Sequence, residues 1–188
     1  MRIFEKTYGK IDRKVPQQMK TVKSAPSQKK FKARPRPQGP EYLLIDGYNI
    51  IFAWDDLTAL AKSSLEAARD ALIDRVAGYR AMKRLEIILV FDAYKVKGNR
   101  GEVEQINGVT VVYTKEAETA DAYIERVTHE LGRRHRVRVA TSDNLEQLII
   151  LGNGALRISA REFLAEVEET EKEIRRFIDE YNTRTSDF

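Results

Sequence analysis

Two patterns of apolar and polar positions follow one another along the chain. Short apolar runs of three to five residues, bounded by polar segments, are typical of strands buried in a sheet. They are YLLID (42–46), IILVF (87–91), VTVVY (109–113), VRVAT (137–141) and the shorter LRI (156–158). The pattern therefore predicts four strands and a short fifth.

Helical periodicity occurs in several of the stretches between these strands. Residues 63–83 form the clearest case, with Ser63 or Ser64 as the candidate N-cap. The predicted apolar face of this helix holds Leu65, Ala68, Leu72, Val76 and Tyr79. A second helix is predicted over 119–134, and its apolar positions are Ala122, Ile124, Val127 and Leu131.

The last part of the chain predicts two more helices. A short one is expected at about 143–151, and Ser159 with Glu162 forms a capping box that opens a long helix to about Tyr181. Residues 93–108 are polar and contain glycine, which predicts a loop. Strands that alternate with helices imply an α/β fold, here a three-layer sandwich with a mainly parallel central sheet.

Charge divides the chain at about residue 40. Residues 1–40 carry 12 Lys and Arg against 2 Asp and Glu, a balance of +10, so the whole-chain balance of +4 leaves −6 for the rest. We expect a basic, unstructured linker or arm over 1–40, a folded domain over 41–182 and a tail over 183–188. Such an arm can bind phosphate backbones or can serve only as a solubilising linker, and both interpretations stay open.

Composition restricts the chemistry further. The chain has no Cys and only two His, which excludes disulfides and thiolate zinc sites. A bound metal would need oxygen ligands, and this indicates Mg²⁺ or Mn²⁺. No apolar run approaches the roughly 20 residues of a membrane span, and the N-terminus lacks the apolar core of a signal peptide. We therefore expect a cytoplasmic protein with no membrane contact.

Carboxylates follow the predicted strands. Asp46, Asp92 and Asp143 come after the first, second and fourth strands, and Glu118 and Asp121 begin the helix after the third. The carboxyl ends of parallel strands meet at one edge, where like charges repel unless a cation neutralises them. This predicts a site for one or two divalent ions. Each acid taken singly could be a turn or capping residue, but four such coincidences favour the metal.

Two polar residues accompany these acids. Asn49 lies just beyond the Asp46–Gly47 dipeptide, and its amide could orient a carboxylate or a water. Ser142 precedes Asp143 and could hold a water or a phosphate. Capping of a helix N-terminus is the alternative role for both, and for Asn49 the two roles are compatible.

The strings around these residues resemble one family in particular. LLIDGYNIIFAW is similar to the opening signature of the YacP-like NYN domain family, a part of the PIN-like nuclease superfamily. The resemblance continues in order through LEAARDALI, VFDAY, VVYTKEAETADAYIE, VATSDNLEQ and GALRISAREF, and it covers about residues 41–170.

The resemblance implies a PIN-like α/β sandwich with endoribonuclease activity that depends on Mg²⁺ or Mn²⁺. The family's acidic positions fall on Asp46, Asp92, Asp121 and Asp143, with Glu118 close by as a further candidate ligand. Some relatives are associated with ribosomes. A basic N-terminal segment would suit tethering to a ribosome or to a fused translation factor, which we treat as a hypothesis.

Basic and aromatic residues near the predicted site could bind RNA. The candidate RNA-binding residues are Arg69, Lys95, Lys97, Arg100 and Arg157. The residues in the 93–108 loop could equally be solvated surface, whereas Arg69 and Arg157 could pair with the acids. Tyr48, Trp54 and Tyr94 could stack on bases, although core packing is the stronger interpretation for Trp54.

These observations predict a metal-dependent endoribonuclease that hydrolyses RNA phosphodiester bonds. The alternative is a non-catalytic RNA- or ribosome-binding module, in which the basic arm binds and the acids are structural.

Overall fold

The computed structural model describes residues 39–92, 101–115, 118–142 and 155–186, with side chains as far as residue 184. Its strands are β1 (Glu41–Asp46), β2 (Glu86–Phe91), β3 (Glu102–Ile106), β4 (Val109–Tyr113), β5 (Arg136–Ala140) and β6 (Leu156–Ile158). The helices within these ranges are α1 (Gly47–Ala53), α2 (Asp55–Ser63), α3 (Leu65–Lys83), α4 (Ala120–Leu131) and α5 (Ala160–Ser186).

The strands form one sheet in the order β3-β4-β2-β1-β5-β6. Every neighbouring pair is parallel except β3 and β4, which run antiparallel at one edge. Strand β1 lies between β2 and β5, and its register aligns Asp46 with Val90 and Ile45 with Ala140. The prediction of an α/β fold with a mainly parallel sheet is confirmed.

Apolar side chains are buried on both faces of this sheet. Leu43 and Ile45 of β1 belong to the larger core cluster, which also contains buried residues of α1, α3 and α5. Leu44, between them in sequence, belongs to a second cluster with Ile124 and Val127 of α4. Successive strand residues point to opposite faces, so a strand covered on both sides must be apolar throughout. This is why YLLI has no alternating pattern.

Helix ends follow local capping signals. Ser64 caps α3, since its hydroxyl accepts a hydrogen bond from Ala67 N at 3.1 Å. The predicted capping box forms at the start of α5, where Ser159 N donates to Glu162 Oε2 at 2.9 Å and Glu162 N donates to Ser159 Oγ at 3.2 Å. Helix α5 continues to Ser186, beyond the end predicted at about Tyr181.

The prediction of a loop over 93–108 was wrong for 102–106. These residues form β3, an edge strand that is largely exposed and therefore lacks the apolar signal of the inner strands. Asn107 and Gly108 connect β3 to β4, with φ angles of 51° and 83°. Two consecutive positive φ values are typical of a tight hairpin turn, for which Asn-Gly is a preferred pair.

Two of the predicted segments lie outside the residues that the structure describes. The short helix expected at about 143–151 falls outside the described residues, as does the whole 93–100 segment of the predicted loop. Among the helices that the structure describes, none is long and apolar enough to cross a membrane.

Candidate active site

A cleft of about 460 Å³ opens at the carboxyl ends of β1, β2 and β5. It is lined by Asp46, Tyr48, Asn49, Phe52, Ala53, Asp92, Thr119, Ala120, Asp121 and Ser142. The chain passes from β1 to β2 on one side and later returns from β4 to β5 on the other side. A cleft at such a reversal of strand order is the usual ligand site of an open α/β sheet.

Asp46 is held in this cleft by the start of α1. It is the last residue of β1, only 8% exposed, and its Oδ1 accepts a hydrogen bond from Asn49 N at 3.1 Å. Helix α1 begins at once because Gly47 has no side chain: a Cβ there would lie within 3.0 Å of three ring atoms of Phe91. The Asp-Gly dipeptide therefore fixes where the carboxylate points.

Asn49 ties the end of β1 to the end of β5. Its Oδ1 accepts a hydrogen bond from Ser142 N at 2.8 Å and another from the Ser142 hydroxyl. Because a backbone N–H can only donate, the oxygen of this amide must face Ser142. The sequence suggested an orienting role for Asn49, and the structure shows that what it holds is Ser142.

The other two described carboxylates come from different elements. Asp92 directly follows β2, and Asp121 lies in the first turn of α4. Helix α4 is capped by Thr119, whose Oγ1 accepts a hydrogen bond from Ala122 N at 3.2 Å. Thr119 also lines the cleft. Sequence reasoning did not single it out, although its position before the predicted helix was the available signal.

The structure brings together five of the predicted site residues: Asp46, Asn49, Asp92, Asp121 and Ser142. It does not bring Glu118 into the lining, because that carboxylate pairs with Arg126 at 2.8 Å. Four predicted residues lie outside the described ranges, namely Lys95, Lys97, Arg100 and Asp143.

Arg69 and Arg157 do not line the cleft. Arg69 Nη1 donates a hydrogen bond to the Tyr48 hydroxyl at 3.3 Å, and its guanidinium lies 5.9 Å from the centre of the Tyr113 ring. Burial raises the pKa of Tyr113, and the charge of Arg69 opposes that shift. Arg157 lies in β6, and its Nε is buried with no hydrogen-bond partner among the described residues.

The aromatic residues divide into core and cleft positions. Trp54 is 1% exposed and donates a hydrogen bond from Nε1 to Ala160 O at 2.9 Å, so core packing is its role. Tyr48 is also buried, and its ring stacks with that of Phe52 at 6.4 Å. Phe52 is 51% exposed and lines the cleft. Phe52 was not singled out from the sequence, because the apolar run IIF (50–52) does not show which of its side chains is exposed.

The donor set of this cleft consists of oxygen atoms. Residues with three carboxylates, one amide and three hydroxyls line it, and such oxygen donors suit a hard divalent cation that keeps several of its waters. Within the described ranges, no three acidic or histidine side chains are grouped closely enough to hold one ion between them. The residues fit a hydrated ion held by few direct protein ligands.

Sheet order and cleft position together define an α/β domain with an acidic cleft at the switch point of its strand order. A family model described as the YacP-like NYN domain matches residues 43–188, and the chain belongs to this family. The family lies within the PIN-like nuclease superfamily, so the domain is of a nuclease type with an RNA-related function.

Known relatives agree with this assignment. The chain is 49% identical to YacP of Bacillus subtilis (strain 168) over 138 residues, which is 72% of this chain and 80% of that protein. It is similar to the crystal structure of Rae1 (YacP) from Bacillus subtilis, with a TM-score of 0.68 and 44% identity over 77% of this chain and 83% of that one. A mutant form of that protein gives a TM-score of 0.66 and 43% identity, over 76% and 84% of the two chains.

Proposed function

We propose that this protein is an endoribonuclease that depends on Mg²⁺ or Mn²⁺ and hydrolyses RNA phosphodiester bonds. One observation carries the proposal: Asp46, Asp92 and Asp121 come from three separate elements and line a single cleft. In a nuclease-type domain, such convergence is what phosphodiester hydrolysis requires.

In the proposed reaction, the oxygen of a water molecule attacks phosphorus, and the bridging P–O bond to one ribose breaks. The chemistry that a divalent ion supplies when bound is Lewis-acid stabilisation of the negative charge that develops on the phosphate oxygens. The carboxylates of Asp46, Asp92 and Asp121 would hold that ion directly or through water, and they are not attacked themselves. Asp143, which follows Ser142 in sequence, is proposed as the fourth acid.

The surrounding residues would position these groups. Asn49 holds Ser142 at the mouth of the cleft, and this link would set the direction of the chain as it continues to Asp143. Glu118, which lies just before α4, pairs with Arg126 inside that helix. We propose that this pair stabilises the helix end that presents Asp121, so that Glu118 would act outside the direct ligand set.

Substrate binding would use charge and stacking. Phe52 presents an exposed ring at the rim of the cleft, and such a ring can stack on an unpaired base. Phosphate contacts would come from the basic residues predicted above: Arg69, Lys95, Lys97, Arg100 and Arg157. Single-stranded RNA is therefore the proposed substrate form.

Cleavage of defined RNAs tests the proposal. Asp46→Asn and Asp92→Asn should lower the rate by about 100-fold or more, because each removes a charge from the reacting site. The matched control is Asp74→Asn, an exposed aspartate on α3 that contacts Asn107 and is remote from the cleft lining. EDTA should abolish cleavage, and Mg²⁺ or Mn²⁺ should restore it. Wild-type rates for both cleft variants would refute the proposal.

The same variants test the alternative of a non-catalytic RNA- or ribosome-binding module. The charge balance of +10 in residues 1–40 is the observation that favours it. That module predicts loss of RNA binding on deletion of residues 1–40, with no effect of Asp46→Asn. We also propose a cytoplasmic location and an association with ribosomes through the basic segment. Absence of the protein from sedimented ribosomes would contradict that association.

A further inference from the structure

Thr119 contributes a hydroxyl group to the acidic cleft, directly before the first turn of α4. It lines the cleft beside Ala120 and Asp121, and α4 begins at Ala120. The residue is exposed, so a molecule that enters the cleft can reach its side chain. A polar group with a free hydrogen at this position would act next to one of the proposed metal-binding carboxylates.

Capping of α4 uses a lone pair of this hydroxyl and leaves its proton free to be donated. Thr119 Oγ1 accepts a hydrogen bond from Ala122 N at 3.2 Å. A hydroxyl group carries one donor in addition to its two acceptor lone pairs. Within the part of the chain that the structure describes, the Thr119 hydroxyl donates to no protein group. The cap therefore holds the oxygen in place, while the O–H bond can turn toward a ligand in the cleft.

Neighbouring donors in the cleft are already used to hold the cleft together. Asn49 N donates to Asp46 Oδ1. Ser142 donates both its backbone N–H and its hydroxyl to Asn49 Oδ1. A substrate could use these donors only by breaking the bonds that join β1 to β5. The Thr119 hydroxyl can be donated without the loss of such a bond.

A phosphate group in this cleft needs hydrogen-bond donors as well as a cation. The described residues that line the cleft include three carboxylates and neither lysine nor arginine. A bound divalent ion would offset the charge on one side of the phosphate, and a second non-bridging oxygen would still accept a hydrogen bond. The N-terminal end of α4 favours an anion, because the helix dipole is positive there. Thr119 lies at that end.

Helix capping by itself explains an oxygen at position 119 but not a hydroxyl. Aspartate, asparagine and serine cap helices at least as well as threonine does. An aspartate at this position would add a carboxylate to the three already present, and it would have no proton to donate at neutral pH. A hydroxyl is a cap that remains compatible with an incoming phosphate.

We propose that the Thr119 hydroxyl binds the substrate by donating a hydrogen bond to a non-bridging oxygen of the phosphate held in the cleft. This inference rests on the proposed nuclease function and adds a substrate-binding residue to it. Thr119 contacts the RNA and not the metal ion. Removal of the hydroxyl should therefore weaken phosphate binding and leave the metal requirement unchanged.

Substitutions of Thr119 in the full chain separate capping from phosphate binding. Thr119→Gly removes the hydroxyl, and because glycine is a tolerable N-cap, the melting temperature should fall by only about 1 °C. The kcat/KM for a single-stranded RNA should fall about tenfold, as expected for one hydrogen bond to a charged group. Thr119→Ser keeps the cap and the donor, and it should cleave as the wild type does. Thr119→Asp keeps only the cap, and it should melt like the wild type but cleave at least about tenfold more slowly.

Ser64→Gly is the matched control, because Ser64 is an exposed N-cap of the same kind. Its hydroxyl accepts a hydrogen bond from Ala67 N at 3.1 Å, and it does not line the cleft. This variant should show the same small loss of thermal stability as Thr119→Gly, with wild-type cleavage. Wild-type cleavage by Thr119→Gly or by Thr119→Asp would overturn the proposal, since it would leave Thr119 with the cap alone.

Sulfur substitution in the RNA tests the contact itself. Substrates with sulfur in place of either non-bridging oxygen at the cleaved phosphate are compared in Mn²⁺, which accepts sulfur ligands better than Mg²⁺ does. Because sulfur is a poor hydrogen-bond acceptor, one of the two substrates should slow the wild type several-fold more than it slows Thr119→Gly. The Mg²⁺ concentration for half-maximal cleavage should be the same for both proteins. An equal sulfur effect in the two proteins, or a higher Mg²⁺ requirement for Thr119→Gly, would contradict a phosphate contact.

RNA binding distinguishes failure of this inference from failure of the proposed function. In the Asp46→Asn background, the Kd for a short single-stranded RNA in Mg²⁺ is measured by fluorescence anisotropy with and without Thr119→Gly. The added substitution should raise the Kd about tenfold, whether or not any RNA is cleaved. Equal Kd values would overturn the inference. A wild type that cleaves no RNA, together with the expected rise in Kd, would refute the nuclease function and support the contact.

Discussion

Replacement of Gly47 by alanine should destabilise the protein at the position where β1 becomes α1. A Cβ at Gly47 would lie within 3.0 Å of Cε1, Cδ1 and Cζ of Phe91. The Phe91 ring cannot easily move aside, because it is fully buried and contacts the rings of Tyr48 and Tyr113 at 5.2 and 5.6 Å. One added methyl group must therefore displace either a packed ring or the start of α1.

Overpacking of this kind costs about 1–3 kcal/mol in the free energy of unfolding. A domain of this size loses about 2–4 °C in melting temperature per kcal/mol, so Gly47→Ala should melt about 2–12 °C below the wild type. Because Asp46 precedes Gly47 and its carboxylate caps the first turn of α1, the variant should also cleave RNA more slowly under the proposed function.

Gly78→Ala provides the matched control for the same substitution. Gly78 lies inside α3, and the nearest atom to an added Cβ is Ile174 Cδ1 at 3.5 Å, an ordinary contact distance. Alanine restricts the unfolded chain more than glycine does, and it should stabilise this helix by about 0.4–1 kcal/mol. Thermal unfolding followed by circular dichroism measures both variants. A Gly47→Ala protein that melts at or above the wild-type temperature would refute this reasoning.

Two further changes test other contacts. Asn49→Ala removes the acceptor for both Ser142 hydrogen bonds, and it should lower the free energy of unfolding by about 1–2 kcal/mol and slow cleavage. Asn49→Asp keeps an acceptor oxygen and should therefore lose less stability. Equal melting temperatures for the wild type and Asn49→Ala would contradict this. Burial tends to raise the pKa of Glu166, but hydrogen bonds from Arg138 and Tyr79 outweigh it and hold that pKa below 4.5. The contribution of the Glu166 carboxylate to the free energy of unfolding is therefore fully present above about pH 4.5, and it is lost as the pH falls through the folded-state pKa of Glu166. Glu166→Gln should cost about 1–2 kcal/mol at pH 7 and progressively less in acid, and a difference that does not vary with pH would count against the ion pair.

Much of the fold could be predicted from local patterns. The inner strands are apolar on both faces, and α3 and α5 carry their own N-caps, so each signal lies within a few neighbouring residues. The edge strand β3 escaped prediction because exposed strands carry no apolar run. The break at Trp54 that separates α1 from α2 was likewise not predicted. The position of Trp54 is held by the hydrogen bond from its Nε1 to Ala160 O, a residue distant in the chain.

The candidate site shows the same division. Acids that follow parallel strands must meet at one edge, and the sequence therefore predicted Asp46, Asp92 and Asp121 in one cleft. The position of Glu118 depends on its ion pair with Arg126, which lies eight residues further along the chain, about two helical turns away. The exposure of Phe52 depends on which face of α1 the sheet covers.

The amino-acid sequence by itself determined the fold class, the edge of the sheet that carries the acids and the family resemblance. These conclusions depend on hydrophobic periodicity, helix caps and the order of strands and helices, which can be recognised from short segments of the chain. The link between Asn49 and Ser142 joins residues far apart in the chain. Only the tertiary structure could decide that link, together with which aromatic ring faces the cleft. Contacts of this kind depend on how separate elements pack, and no local pattern encodes that geometry.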